Sequence, residues 1–181
     1  LVGLIKAERV CDDPLMNAAL GLIQHDKDSP EYNPKTLKLL LPLSIAADNP
    51  PIVSRIIEHI DINNDTASPV FVAAKYLLKK NEINLASTAL NRVKDLYTAS
   101  DDFLQIYVKI HFSQGKIKQI IQYLHGALKL KNGPRVDFVH RYLGLAYHYG
   151  GSNREARRHT LIAIRKGLKC IDSTSDLINL A

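Results

Sequence analysis

Apolar residues recur along most of this chain at three- and four-residue intervals rather than at every second position, which is the spacing of one buried stripe on a helix. Ile52, Val53, Ile56, Ile57 and Ile60 form such a stripe, and Asn49 followed by Pro50 and Pro51 supplies a cap and a first turn. Ser68-Pro69 opens a second apolar stretch running to Lys80; Asn81-Glu82 interrupts it, and Leu85, Ala86, Ala89, Leu90, Val93, Leu96 and Tyr97 resume on a further helix. Ser100-Asp101-Asp102 caps a segment to Gln114, Gly115-Lys116 breaks it, and Ile117, Ile120, Ile121, Leu124, Ala127 and Leu128 mark the next helix. After Asn132-Gly133-Pro134, a helix from Pro134 presents Phe138, Val139, Tyr142, Leu143, Ala146 and Tyr149, stops at Gly150-Gly151, and is followed by one from Asn153 to about Cys170.

Aligning the turns places Asn81, Gly115 and Gly151 in register, 34 and 36 residues apart. A period of this length with two helices per unit is the mark of an α-solenoid. Upstream, Asn33-Pro34 opens a leucine-rich segment from Thr36 to Ala47 that pairs with the helix after Asn49, and Pro42 inside it predicts a kink or a late start. Asp12-Asp13-Pro14 caps a helix through Leu15, Met16, Ala19, Leu20 and Ile23, a short apolar helix spans Leu1 to Val10, and residues 27–33 form the longest loop. At the far end Ser173-Thr174-Ser175-Asp176 caps Leu177-Ile178-Asn179-Leu180, a helix that begins and is cut short.

The unit from His140 carries Leu143, Gly144, Tyr147, Gly151, Ala156 and Ala163 at the spacing of L-G-x2-Y, a small turn residue, and two small residues on a second helix. It resembles a tetratricopeptide repeat, with His140 in place of the leading aromatic and Thr160 in place of the family's Phe. Gly115, Leu124 and Ala127 carry a weaker form of the pattern, with Val108 at the packing glycine and His111 at the tyrosine; Ala74, Ala86 and Leu90 carry the unit before. The resemblance implies an all-α, right-handed superhelix of about five antiparallel hairpins, in one helical-repeat domain over residues 1–181, with its clearest repeats at 68–99, 100–133 and 134–170. Residues 1–66 match only in helix length and spacing.

Composition fits this reading. Of the 181 residues, 46% are hydrophobic and 23% charged, too apolar for disorder, and no apolar run nears the roughly 18 residues of a membrane span. Only two cysteines, Cys11 and Cys170, are present, which points to a reducing, cytoplasmic compartment. The start at Leu1 rather than Met predicts an excerpt or processed form of a longer chain. The net charge of +6 is uneven, since residues 131–170 carry +7 and the rest sum to −1; a basic end of this kind suits an acidic partner or a solvated face.

No nucleophile elbow, dinucleotide fingerprint, phosphate loop or zinc-protease motif is present, and the acidic pairs Asp12-Asp13 and Asp101-Asp102 precede helices as caps, so no catalytic residue and no cofactor is expected. Seven histidines raise the question of a metal. His140 and His148, eight apart on one helix, lie about 12 Å apart along its axis, and His111 and His125 have no accompanying motif, so packing or surface roles are expected instead. The sequon Asn64-Asp65-Thr66 is of a kind that arises by chance.

The resemblance further implies that the first helix of each hairpin lines a concave groove. That assigns Phe71, Lys75, Leu78 and Lys79, then Gln105, Lys109, Phe112 and Ser113, then Arg141, Leu145, His148 and Tyr149 to a peptide-binding surface in which Lys75, Lys109 and Arg141 form a basic ladder for an acidic partner. Lys75, Lys109 and Leu145 stand where the family's carboxylate clamp would show an Asn, so that particular use is not expected. A second basic face consists of Arg154, Arg158, Arg165 and Lys169 on the last long helix. The expected function is a non-enzymatic protein-interaction scaffold or adaptor. The alternatives are a repeat domain of a larger enzyme or transcription regulator, used for oligomerisation or effector sensing, and nucleic-acid binding through the basic C-terminal helix, for which stacking aromatics are missing.

Overall fold

A computed structural model describes residues 34–167, with side chains from Leu37 onward. The helices expected over residues 1–23, the loop at 27–33, both cysteines and the segment at 173–180 lie outside the described residues. Among the described residues nine helices follow one another: α1 (Pro34–Ala46), α2 (Pro50–His59), α3 (Asn64–Lys79), α4 (Ile83–Arg92), the single turn α5 (Lys94–Tyr97), α6 (Asp101–Ser113), α7 (Ile117–Ala127), α8 (Val136–Tyr149) and α9 (Asn153–Arg165). Among the described residues there is no strand, and no helix is long and apolar enough to cross a membrane.

The chain divides between Leu96 and Tyr97 into two compact units. In the first, α1 pairs with α2 and α3 with α4, and in the second, α6 pairs with α7 and α8 with α9. The first core is built from Leu37 and Leu41 of α1, Val53, Ile56 and Ile57 of α2, and Val70 and Leu77 of α3, all essentially inaccessible to solvent. Ala73 and Ala74 of α3 and Ala86 and Ala89 of α4 are equally buried, so small side chains let these two helix backbones approach closely. In the second unit Leu104, Val108, Ile120, Leu124, Val139, Tyr142, Leu143 and Ala146 form one contiguous core.

Among the described residues four hairpin turns share one geometry. Asp48, Asn81, Gly115 and Gly151 all have positive φ (55°, 64°, 68° and 77°) and stand 33, 34 and 36 residues apart. At each, the amide of the next residue donates to the carbonyl five residues back (Asn49 to Ser44, Glu82 to Leu77, Lys116 to His111, Ser152 to Tyr147), while the left-handed residue donates three back. This is the Schellman closure, which satisfies the last carbonyls of the first helix and turns the chain into the second. The register read from Asn81, Gly115 and Gly151 therefore extends one hairpin further upstream, to Asp48.

Several boundaries differ from expectation. The third helix starts at Asn64, not at Ser68-Pro69: the Asn63 side chain accepts from the Asp65 and Thr66 amides while Thr66 Oγ1 accepts from the Asn63 amide, a reciprocal capping box. Pro69 then sits one and a half turns inside and removes a single helical bond. The stripe through Leu96 and Tyr97 is split at Val93 into α4 and α5. Helix α8 begins at Val136 rather than Pro134, and α9 ends at Arg165, before Gly167 at φ 99°. Helix α1 runs unbroken through Pro42, whose ring is exposed.

Candidate functional site

The residues assigned to the groove fall on α3 in the first unit and on α6 and α8 in the second. On α3, Lys79 is exposed and Leu78 half-buried, while Phe71 is buried with its ring beneath the Lys75 ammonium, 4.6 Å from the ring centroid. At this position the cation, and not the aromatic, faces outward.

In the second unit, Ser100 accepts from the Phe103 amide and so sets the start of α6. Asp101, expected as part of that cap, instead accepts the Arg135 amide through Oδ1 at 2.7 Å and ties the entry of α6 to that of α8. Arg135 in turn holds the buried Asp137 carboxylate through two hydrogen bonds, Nε to Oδ1 at 3.2 Å and Nη2 to Oδ2 at 2.6 Å. With the two helix starts anchored, their C-terminal turns bring Phe112 and Tyr149 together edge to face, centroids 5.3 Å apart, and Tyr149 also meets His148 at 5.8 Å. Tyr149 remains 70% exposed. Lys109 and Ser113 are exposed on α6 and Gln105 is half-buried. On α8, Arg141 lies half-buried with its guanidinium 5.7 Å from the Tyr142 centroid, and Leu145 packs against the core. An exposed tyrosine ring backed by a half-buried phenylalanine, beside cationic side chains, can grip an apolar anchor and an acidic neighbour of a peptide.

Arg154, Arg158 and Arg165 are all exposed on α9, and Arg158 pairs with Glu155 at 3.5 Å; Lys169 lies outside the described residues.

The sequence reading did not pair the histidines that come together. His125, His140 and His159 converge from α7, α8 and α9 around Tyr147: His140 Nδ1 and His159 Nδ1 are 2.8 Å apart, His125 Nε2 is 2.9 Å from the Tyr147 hydroxyl, and the Tyr147 and His159 rings stack at 5.4 Å. His159 is buried, and desolvation, followed by repulsion from His140 and His125, pushes its pKa down to about 4; desolvation and then Lys166 also lower that of His140. A signal for this contact exists in the sequence, because His140 and His159 lie about equally far before and after the Gly150-Gly151 turn, which an antiparallel hairpin sets side by side. Among the described residues no three His, Cys, Asp or Glu side chains are placed to hold a metal ion together.

No family model matches the chain, and no curated protein matches it. Among solved structures it is similar to the one described as the crystal structure of MamA, a tetratricopeptide-like protein, with 18% sequence identity, 83% of this chain and 85% of that chain covered, and a TM-score of 0.54. At that identity the likeness concerns the fold alone: it supports a tetratricopeptide-like helical fold, in keeping with the all-helical described residues.

Proposed function

We propose that the protein is a non-enzymatic interaction scaffold that binds a partner peptide or protein on the first helices of its hairpins, through Lys75 and Lys79 in the first unit and Gln105, Lys109, Phe112, Arg141, His148 and Tyr149 in the second. The observation that carries this reading is the Phe112–Tyr149 pair: an aromatic ring left 70% exposed and held in place by a second one is the kind of preorganised anchor that interfaces use. The exposed Lys109 beside it favours an acidic partner, and the cysteine count favours a cytoplasmic adaptor. In this reading the two units are stretches of one repeat domain. Capture from nuclease-treated lysate by the parent chain, compared with Lys75→Glu/Lys109→Glu and Tyr149→Ala variants shown by circular dichroism to be equally helical, tests it. A protein recovered by the parent and lost by the variants supports the face; equal recovery removes it.

A second reading, assembly with further repeats or another copy as part of a larger chain, is favoured by Leu161 and Ile164, which stand 53% and 47% exposed on α9. Sedimentation of the parent beside Leu161→Glu/Ile164→Glu separates it from the first.

A further inference from the structure

The two units differ in what fills the space beside their turns. In the first, Asp48 at the α1–α2 turn reaches across to α3, where its carboxylate accepts from the Tyr76 hydroxyl at 2.8 Å and the Lys80 ammonium at 2.5 Å. Its neighbour Asn49 caps α2 by accepting from the Ile52 amide. Aligned on the left-handed residues, the second unit has Gly115 for Asp48, Lys116 for Asn49, Ala146 for Tyr76 and Gly150 for Lys80. The carboxylate and both of its partners are gone, and Lys116 makes no capping hydrogen bond to α7.

Beside these positions lies a cleft of about 580 Å³, bounded by both turns of the second unit. Ile117, Ile121 and Tyr147 give it apolar walls, and the exposed Lys116 and Lys118 stand on its rim. No Asp or Glu is among its lining residues. Where the first unit supplies its own turn carboxylate, the second presents positive charge and open space.

We propose that this cleft docks an acidic segment of a protein partner, with an aspartate or glutamate carboxylate at Lys116 and Lys118 and an adjoining aliphatic or aromatic side chain against Ile117, Ile121 and Tyr147. Charge complementarity selects the carboxylate, and the apolar walls select a peptide over a bare anion. The site uses none of the residues assigned to the α6/α8 face, so the two readings stand or fall separately.

The test is a titration of the full ¹⁵N-labelled chain with the peptide Asp-Asp-Leu-Phe-Asp-Asp, with Lys-Lys-Leu-Phe-Lys-Lys and with inorganic polyphosphate, following the glycine amides. The acidic peptide shifts Gly115, Gly150 and Gly151 saturably and leaves Gly126, outside the cleft, unmoved; the basic peptide and polyphosphate do not reproduce this. Affinity falls at least tenfold in Lys116→Glu/Lys118→Glu. It falls as much in Gly115→Asp, which restores a carboxylate like that of Asp48; an added Cβ there meets open space, and Asp48 holds the same backbone conformation. Absence of a saturable shift, shifts that survive both variants, or equal shifts with polyphosphate would overturn the proposal.

Discussion

Gly144 and Thr160 face each other across α8 and α9 so closely that a Cβ on Gly144 would lie 2.6 Å from Thr160 Oγ1 and 3.4 Å from the Ala156 carbonyl. The glycine therefore sets the distance between the two helices, and Ala156 and Ala163, both buried, keep the opposite surface small. Gly144→Ala destabilises the second unit by about 1–3 kcal/mol through overpacking, and Thr160→Ala in the same chain returns part of that loss by removing the hydroxyl. A double-mutant cycle by urea denaturation reads the coupling; additive costs would mean that the contact does not limit the helix spacing.

The turn residues separate backbone strain from packing. At Gly115 and Gly151 an added Cβ meets nothing within 4 Å, yet φ is 68° and 77°. Alanine at either position thus loses about 1–2 kcal/mol from the left-handed conformation alone, whereas Asn81→Gly at φ 64° is neutral or stabilising. Thermal midpoints of the three variants distinguish this from a packing effect.

The same turns show how far the fold was readable from residues alone. Glycine and asparagine advertise a left-handed turn, so three of four hairpins could be placed by eye; Asp48 adopts the same φ of 55° without that signal, because its side chain is held instead by Tyr76 and Lys80, 28 and 32 residues away. Ser68-Pro69 resembles a helix start more than Asn63 does, but the Asn63–Thr66 box satisfies amides reciprocally and prevails. The aromatic pair was legible residue by residue, since Phe112 and Tyr149 were both assigned to the groove; that Phe112 is half-buried against the core while Tyr149 stands exposed, and that the two meet, depends on Asp101 accepting the Arg135 amide, which no spacing rule announces. The cleft was illegible for a related reason: two of its lining positions, Gly115 and Gly150, carry no side chain where the first unit has Asp48 and Lys80.

Thr66 is the buried half of the capping box. Its hydroxyl accepts from the Asn63 amide at 2.9 Å and donates to the Asp61 carbonyl at 2.6 Å. Thr66→Ala removes both and costs about 1–2 kcal/mol, while Thr66→Ser retains most of the stability. Chemical denaturation of the two variants checks the order; equal losses would assign the effect to the Thr66 methyl group and its packing instead.

The histidine cluster makes the second unit sensitive to acid, and the sign follows from burial. His159 is packed as a neutral ring between Tyr147 and His140, with its pKa depressed from 6.5 to about 4. Protonation on unfolding therefore becomes favourable below 6.5, before the folded form can take up the proton. Stability is full above about pH 6.5 and falls as the pH drops toward 4; at pH 5 the loss from His159 is about 2 kcal/mol. The facing charges do not reverse this: His140, His125 and Arg158 oppose the cation, and Glu155 alone favours it. His140, also depressed by burial and Lys166, adds in the same sense. Urea titrations at pH 7 and pH 5 measure the drop, and His159→Phe, which keeps the ring stack but cannot be protonated, loses most of it. A parent protein equally stable at both values would show that the cluster opens to solvent.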